Sequence, residues 1–120
     1  MKNVFWVFLT VATLSVGCVS KPHFTCTSSR NVTLLKGAVL IDVRTQKEYD
    51  KRHLNRAVLI PHDKIKEHIA GFVLGRDAII YVYCGSGYRA DKACKALNEL
   101  GYRNVVNLCG INVAESALKK

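Results

Sequence analysis

Ala78-Ile79-Ile80-Tyr81-Val82-Tyr83 is an unbroken run rich in β-branched and aromatic residues, and it leads directly into Cys84-Gly85-Ser86-Gly87-Tyr88-Arg89-Ala90. A run without polar alternation fits a strand covered on both faces, which is a strand of a parallel sheet between helices. Beyond the loop, Ala90, Ala93, Cys94, Leu97 and Leu100 recur at helical spacing. The segment is therefore a strand, a tight glycine-bearing loop and a helix, with a cysteine where the strand ends. Few folds accommodate that unit.

The rest of the chain repeats the alternation. Ala38-Val39-Leu40-Ile41-Asp42-Val43 reads as a second buried strand, Ala57 to Ile60 as a third ended by Pro61, and Asn104 to Val106 as a fourth. A short strand is expected near Phe24 to Cys26. Ser28 or Ser29 is placed to cap a brief helix through Leu35 that Gly37 stops. Thr45 opens a short helix through about Lys51. Pro61 and Asp63 start another, with Ile65 and Ile69 on one face, that ends near Gly71. Residues 111–118 form a terminal helix. The expectation is an α/β domain over residues 24–118, with a mainly parallel central sheet flanked by helices.

The loop carries the chemistry. Its glycines let successive N–H groups turn toward one point, and the helix behind them adds roughly half a positive charge. A cysteine in such surroundings favours the thiolate, the nucleophilic form. Ligands of parallel α/β sheets sit beyond the carboxyl ends of strands, where Cys84 falls.

The formal charge is +9, from 18 Lys and Arg against nine Asp and Glu, with no run of five like charges. That scatter excludes a nucleic-acid tail. It describes a solvated basic surface or, more sharply, a field that concentrates a small anionic substrate.

The first residues read as a leader. Lys2 precedes an apolar, uncharged stretch from Val4 to Val16. It is shorter than the roughly 20 residues that span a bilayer and suits a signal-peptide core. The sequence Leu14-Ser15-Val16-Gly17-Cys18 is similar to the lipobox of bacterial lipoproteins. The expected organisation is a signal segment over 1–17, lipidation of Cys18 as a membrane tether, and a linker over 18–23. Ordinary cleavage by about residue 20 is the alternative. Either route exports the domain, to the periplasm or lipid-anchored to the envelope.

Export permits disulfides, but Cys26, Cys84, Cys94 and Cys109 form no dense framework and no CxxC pair. His23, His53, His62 and His68 do not join them in ligand spacing, so no metal site is expected. Cys94 lies on the apolar helix face and is expected buried, while a bridge from Cys26 or Cys109 stays open.

Three groups of residues resemble one family. Ile41-Asp42-Val43-Arg44 with Glu48-Tyr49, then His53 and the strand from Ala57 to Pro61, then Tyr83 to Ala90, resemble the single-domain rhodaneses. Gly101-Tyr102-Arg103-Asn104-Val105-Val106-Asn107 is similar to that family's final strand. With the leader, the chain is most similar to small exported, phage-shock-type thiosulfate sulfurtransferases. The resemblance implies the rhodanese fold and transfer of a sulfane sulfur, from thiosulfate or a similar small anionic donor, to cyanide or a thiol through a Cys84 persulfide. It implies no cofactor. Cys84 is the expected nucleophile. Gly85, Ser86, Gly87 and Tyr88 are the substrate-binding loop, and Arg89 supports that loop and its charge. Asp42, Arg44 and Glu48 are supporting residues, and His53 a structural histidine. Tyr88 is a candidate gate or plain exposed surface, and Lys92 a contributor to the anion field or simply solvated.

Four residues separate Cys84 from Arg89. Cysteine-dependent phosphatases use a loop one residue longer, so the shorter ring argues for sulfur over phosphate or arsenate. A non-catalytic sulfur-carrier or anion-binding module is the other reading. The chain departs from the family pattern in having Arg56 for a glycine, Leu59 for an asparagine, and Cys109-Gly110 for a glycine pair. Cys109 is thereby a candidate to reduce a Cys84 persulfide or to bridge to Cys84, with burial as the alternative.

Overall fold

Successive residues of the two long apolar runs turn to opposite sides of one sheet, as the two-residue period of a strand requires. Ile80, Val82 and Cys84 join one buried cluster with Ile41, Val43, Ile65 and Ile69, while Tyr81 and Tyr83 join another with Leu40, Leu108 and Ala114. The computed structural model describes residues 32–119. The expected leader, Cys18, the linker, the strand at 24–26 and the caps Ser28 and Ser29 lie outside the described residues.

Within them the order is β1 (Val39–Asp42), α1 (Gln46–Lys51), β2 (Val58–Leu59), α2 (Ile65–His68) with a 3-10 turn (Ile69–Gly71), β3 (Ile79–Cys84), α3 (Tyr88–Glu99), β4 (Asn104–Gly110) and α4 (Ile111–Leu118). The strands form one sheet in the order β2-β1-β3-β4, every pair parallel. This is the expected α/β architecture. Helices α2 and α3 cover one face; α4 and Tyr49 of α1 pack on the other. The chain changes direction across the sheet between β1 and β3, so the loops after these two strands meet at a switch point, where open α/β sheets bind ligands.

Three expectations need correction. Residues 32–35 are irregular rather than the end of a helix. The Val32 N–H donates to the Ala117 carbonyl at 3.1 Å and Leu34 packs on the second cluster, so tertiary contacts with α4 outweigh the capping signal. Helix α2 starts at Ile65 instead of at Pro61 or Asp63, because the His62 N–H is taken by the Val43 carbonyl at 3.0 Å and still follows the strand ladder. Strand β4 runs on past Val106 to Gly110, with buried Asn107 inside it.

Candidate active site

The loop is built from β3 outward. Cys84 ends that strand with no exposed surface, and its Sγ accepts the Gly87 N–H at 2.9 Å. Gly87 caps α3 at a φ of 104°, a left-handed conformation open to glycine at little cost. Its carbonyl begins the helix by accepting the Asp91 N–H at 2.9 Å. Gly85 and Ser86, between Cys84 and Gly87, are exposed. The Gly87 amide thus meets the sulfur at the positive end of a 12-residue helix.

Arg89 closes the ring from outside. Its Nη1 donates to Glu48 Oε2 at 2.6 Å and its Nη2 to Oε1 at 2.9 Å, a two-point pair. Glu48 also completes the start of α1. Its N–H reaches Thr45 Oγ1 at 3.3 Å while its carboxylate accepts the Thr45 N–H at 3.0 Å, a reciprocal capping box. The Arg89 hydrogen bonds, with Thr45 adding to them, hold the Glu48 carboxyl well below the usual carboxylate range. One side chain therefore ties the helix after β1 to the loop after β3.

Asp42 and Arg44 form a second, buried ion pair at the end of β1. The Arg44 guanidinium grips Asp42 at 2.7 to 3.2 Å and donates to the Arg52 carbonyl at 2.6 Å. Tyr83 donates its hydroxyl to Asp42 Oδ2 at 2.8 Å and accepts the Leu54 N–H at 3.0 Å. Burial pushes the Tyr83 phenol well above its ordinary range, so it stays a neutral donor. Asp42 is fully buried and Arg44 nearly so, and both charges are satisfied within the network. His53 stacks on Tyr49 with ring centroids 3.7 Å apart and its Nδ1 sits 2.8 Å from the Tyr49 carbonyl, away from the loop.

Strand β4 braces the loop from the other side, through Asn107 and Gly110, to which the sequence reading gave no role at the loop. Asn107 donates to the Gly87 carbonyl at 3.4 Å and accepts the Cys109 N–H at 2.8 Å. Gly110 is pressed against the loop so closely that an added Cβ would lie 2.4 Å from the Gly85 carbonyl oxygen. The available signals were an asparagine inside an apolar strand and a glycine at its end. Neither is distinctive without the fold.

The cysteines divide cleanly. Cys84 and Cys94 are both free thiols, and Cys109 is disulfide-bonded. The candidate bridge between Cys109 and Cys84 is not formed, and Cys84 is a free thiol. Burial pushes the Cys94 thiol up to about 12, so it is inert packing in the same buried cluster as Cys84.

A family model described as Rhodanese-like domain matches residues 30–112. Over 71 residues the chain is 37% identical to the thiosulfate sulfurtransferase PspE of Escherichia coli (strain K12), covering 59% of this chain and 68% of that one. It is 30% identical over 83 residues to the adenylyltransferase and sulfurtransferase uba4 of Ogataea parapolymorpha, covering 69% of this chain but only 21% of that longer protein. Among solved structures, one described as rhodanese with anions from E. coli superposes with a TM-score of 0.62 at 34% identity, over 63% of this chain and 89% of that chain.

Proposed function

The chain belongs to the rhodanese-like domain family, and from that premise we propose that it is a sulfurtransferase that carries a sulfane sulfur on Cys84. The observation that carries this reading is the Gly87 N–H directed at Cys84 Sγ from a four-residue ring that Arg89 and Glu48 close. A donor such as thiosulfate presents its outer sulfur to the thiolate. A sulfur–sulfur bond forms at Cys84, the donor's own sulfur–sulfur bond breaks, and sulfite leaves with the electron pair. The persulfide then occupies the amide cradle until cyanide or a thiol takes its outer sulfur. This is covalent catalysis in two displacements, with ping-pong kinetics. The cradle supplies hydrogen bonds where negative charge resides on the terminal sulfur. The short ring turns the Gly87 amide onto one atom, which suits sulfur better than a phosphoryl group.

Export is part of the same proposal. The apolar leader and the Cys18 motif support it at the level of sequence, and the disulfide at Cys109 fits an oxidising compartment. Lipidation of Cys18 would hold the domain at a membrane surface.

The test is the intact mass of the reduced protein after exposure to thiosulfate. The expected result is one added sulfur on Cys84, removed by cyanide and absent from Cys84→Ser. A chain that gains no sulfur, or gains it equally in the serine variant, overturns the reading. A Cys84→Ser protein that keeps its full biological activity would instead identify a non-catalytic binding module.

A further inference from the structure

Arg89, Lys92 and Lys95 are the cations borne by the loop and the first two turns of α3. Two of the three are neutralised where they stand. Arg89 is held by Glu48, and Lys95 Nζ lies 2.7 Å from Asp91. Because Glu48 is held ionised far below neutrality, Arg89 stays compensated at every working pH. Its charge is a clamp for the loop rather than an attraction for substrate.

Lys92 differs. It pairs with no carboxylate among the described residues, and its Nζ sits 4.6 Å from the centroid of the Tyr88 ring. The face of an aromatic ring is its negative side and steadies an ammonium group there. Tyr88 is 66% exposed and directly follows Gly87, whose N–H holds Cys84 Sγ. Gly85 and Ser86 carry no charge. With Glu48 of α1 set against Arg89 and Asp91 against Lys95, one positive charge is left over at the start of α3, on Lys92 beside Tyr88.

We infer that Lys92, steadied on the face of Tyr88, sets the charge preference of the site, favouring a doubly charged oxyanion donor over a singly charged one that offers the same sulfane sulfur. This rests on sulfur transfer at Cys84. With thiosulfate, the thiolate and the dianion become a persulfide anion and a sulfite dianion, three negative charges before and after. The departing oxyanion keeps both of its charges outside the ring, within the field of Lys92. A monoanionic thiosulfonate leaves a sulfinate with one charge and gains correspondingly less from the same ammonium.

The experiment compares thiosulfate with methanethiosulfonate, in which a methyl group replaces one oxygen and one charge, on the full-length protein and on Lys92→Gln. The Coulomb interaction scales with ligand charge, so a loss of about tenfold in kcat/KM for the dianion predicts about threefold for the monoanion. Lys92→Arg is expected to restore the preference, and Tyr88→Leu to lose part of it by releasing the ammonium. Equal losses for both donors, or no loss for thiosulfate, overturn the assignment. Normal persulfide formation in the unsubstituted chain separates that outcome from failure of the sulfur-transfer reading. If neither donor adds sulfur to that chain, both fall together.

Discussion

Arg89 and Glu48 meet through two parallel hydrogen bonds of 2.6 and 2.9 Å, and the same carboxylate caps the helix that follows β1. The pair joins two crossovers that are 41 residues apart in sequence. A site assembled at a switch point needs such a tie, because the sheet alone fixes the strand ends and not the loops beyond them.

Replacing Glu48 with Gln keeps an acceptor for the Thr45 N–H and removes the charge opposite Arg89. The loss in stability at pH 7 is expected near 1 kcal/mol, the upper end for a partly exposed pair. Its pH dependence has a definite sign. The folded Glu48 carboxyl titrates below its unfolded value of roughly 4.3, so the pair's contribution is full above that value and erodes as pH falls toward the folded one. Urea midpoints followed by circular dichroism at pH 7, 5 and 3 should show the gap between the two proteins closing at pH 3. A gap that stays constant would mean that the pair is not what separates them.

Gly110→Ala tests the brace from β4. Its Cβ would fall 2.4 Å from the Gly85 carbonyl, and neither partner is a flexible side-chain end. The loop must shift, and misplacing a reacting group by about 1 Å costs on the order of 100-fold in rate. Gly71→Ala is the control, with nothing within 4 Å of the added carbon. Rapid-quench measurement of sulfur loading should separate the two variants by at least tenfold.

How legible this site was depends on how local each part is. The strand, the loop glycines and the helix spacing around Cys84 are neighbours in sequence, and reading them put Cys84 at the end of a strand in a parallel sheet. Thr45 with Glu48 is likewise a local capping signal. The second use of Glu48, on Arg89, is not local. Nor are the Tyr83 hydroxyl on Asp42, 41 residues away, or Asn107 on Gly87, 20 residues away. An asparagine or tyrosine in a strand takes its partner from the register of the sheet, which pattern alone does not set. The failed helix before Leu35 has the same cause, since its backbone is claimed by α4.

Departures from the family pattern proved informative about backbone strain. Arg56 and Cys109, both read as departures where the resemblance implies glycine, are the non-glycine residues with positive φ among those described, at 68° and 71°. A left-handed conformation costs an L-residue about 1–2 kcal/mol, and glycine's extra chain entropy offsets roughly 0.5–1 of that. Arg56→Gly is therefore expected to stabilise the protein by about 0.5–1 kcal/mol, read as a higher urea midpoint at unchanged m-value. A lower midpoint would show that the Arg56 side chain makes a contribution larger than the strain.

Asn107→Ala examines whether β4 positions the nucleophile or only packs. Asn107 is 3% exposed, and its removal leaves the Cys109 N–H without its acceptor and the Gly87 carbonyl without its second donor. Leaving a buried polar group unsatisfied costs about 1–3 kcal/mol, so a fall in stability of that size is expected. Stability loss alone would not identify a positioning role. The distinguishing readout is the reaction of Cys84 with a small neutral alkylating reagent across pH. If Asn107 orients Gly87 toward Sγ, the alanine variant loses part of that amide's hold on the sulfur, and its reactivity profile departs from that of the unsubstituted protein. Cys94 serves as the internal reference, since burial pushes its thiol up to about 12 and keeps it unreactive over the same range. An unchanged Cys84 profile in a folded Asn107→Ala protein would reduce Asn107 to a packing residue. The cradle would then owe its geometry to Gly110 and to the Arg89–Glu48 clamp.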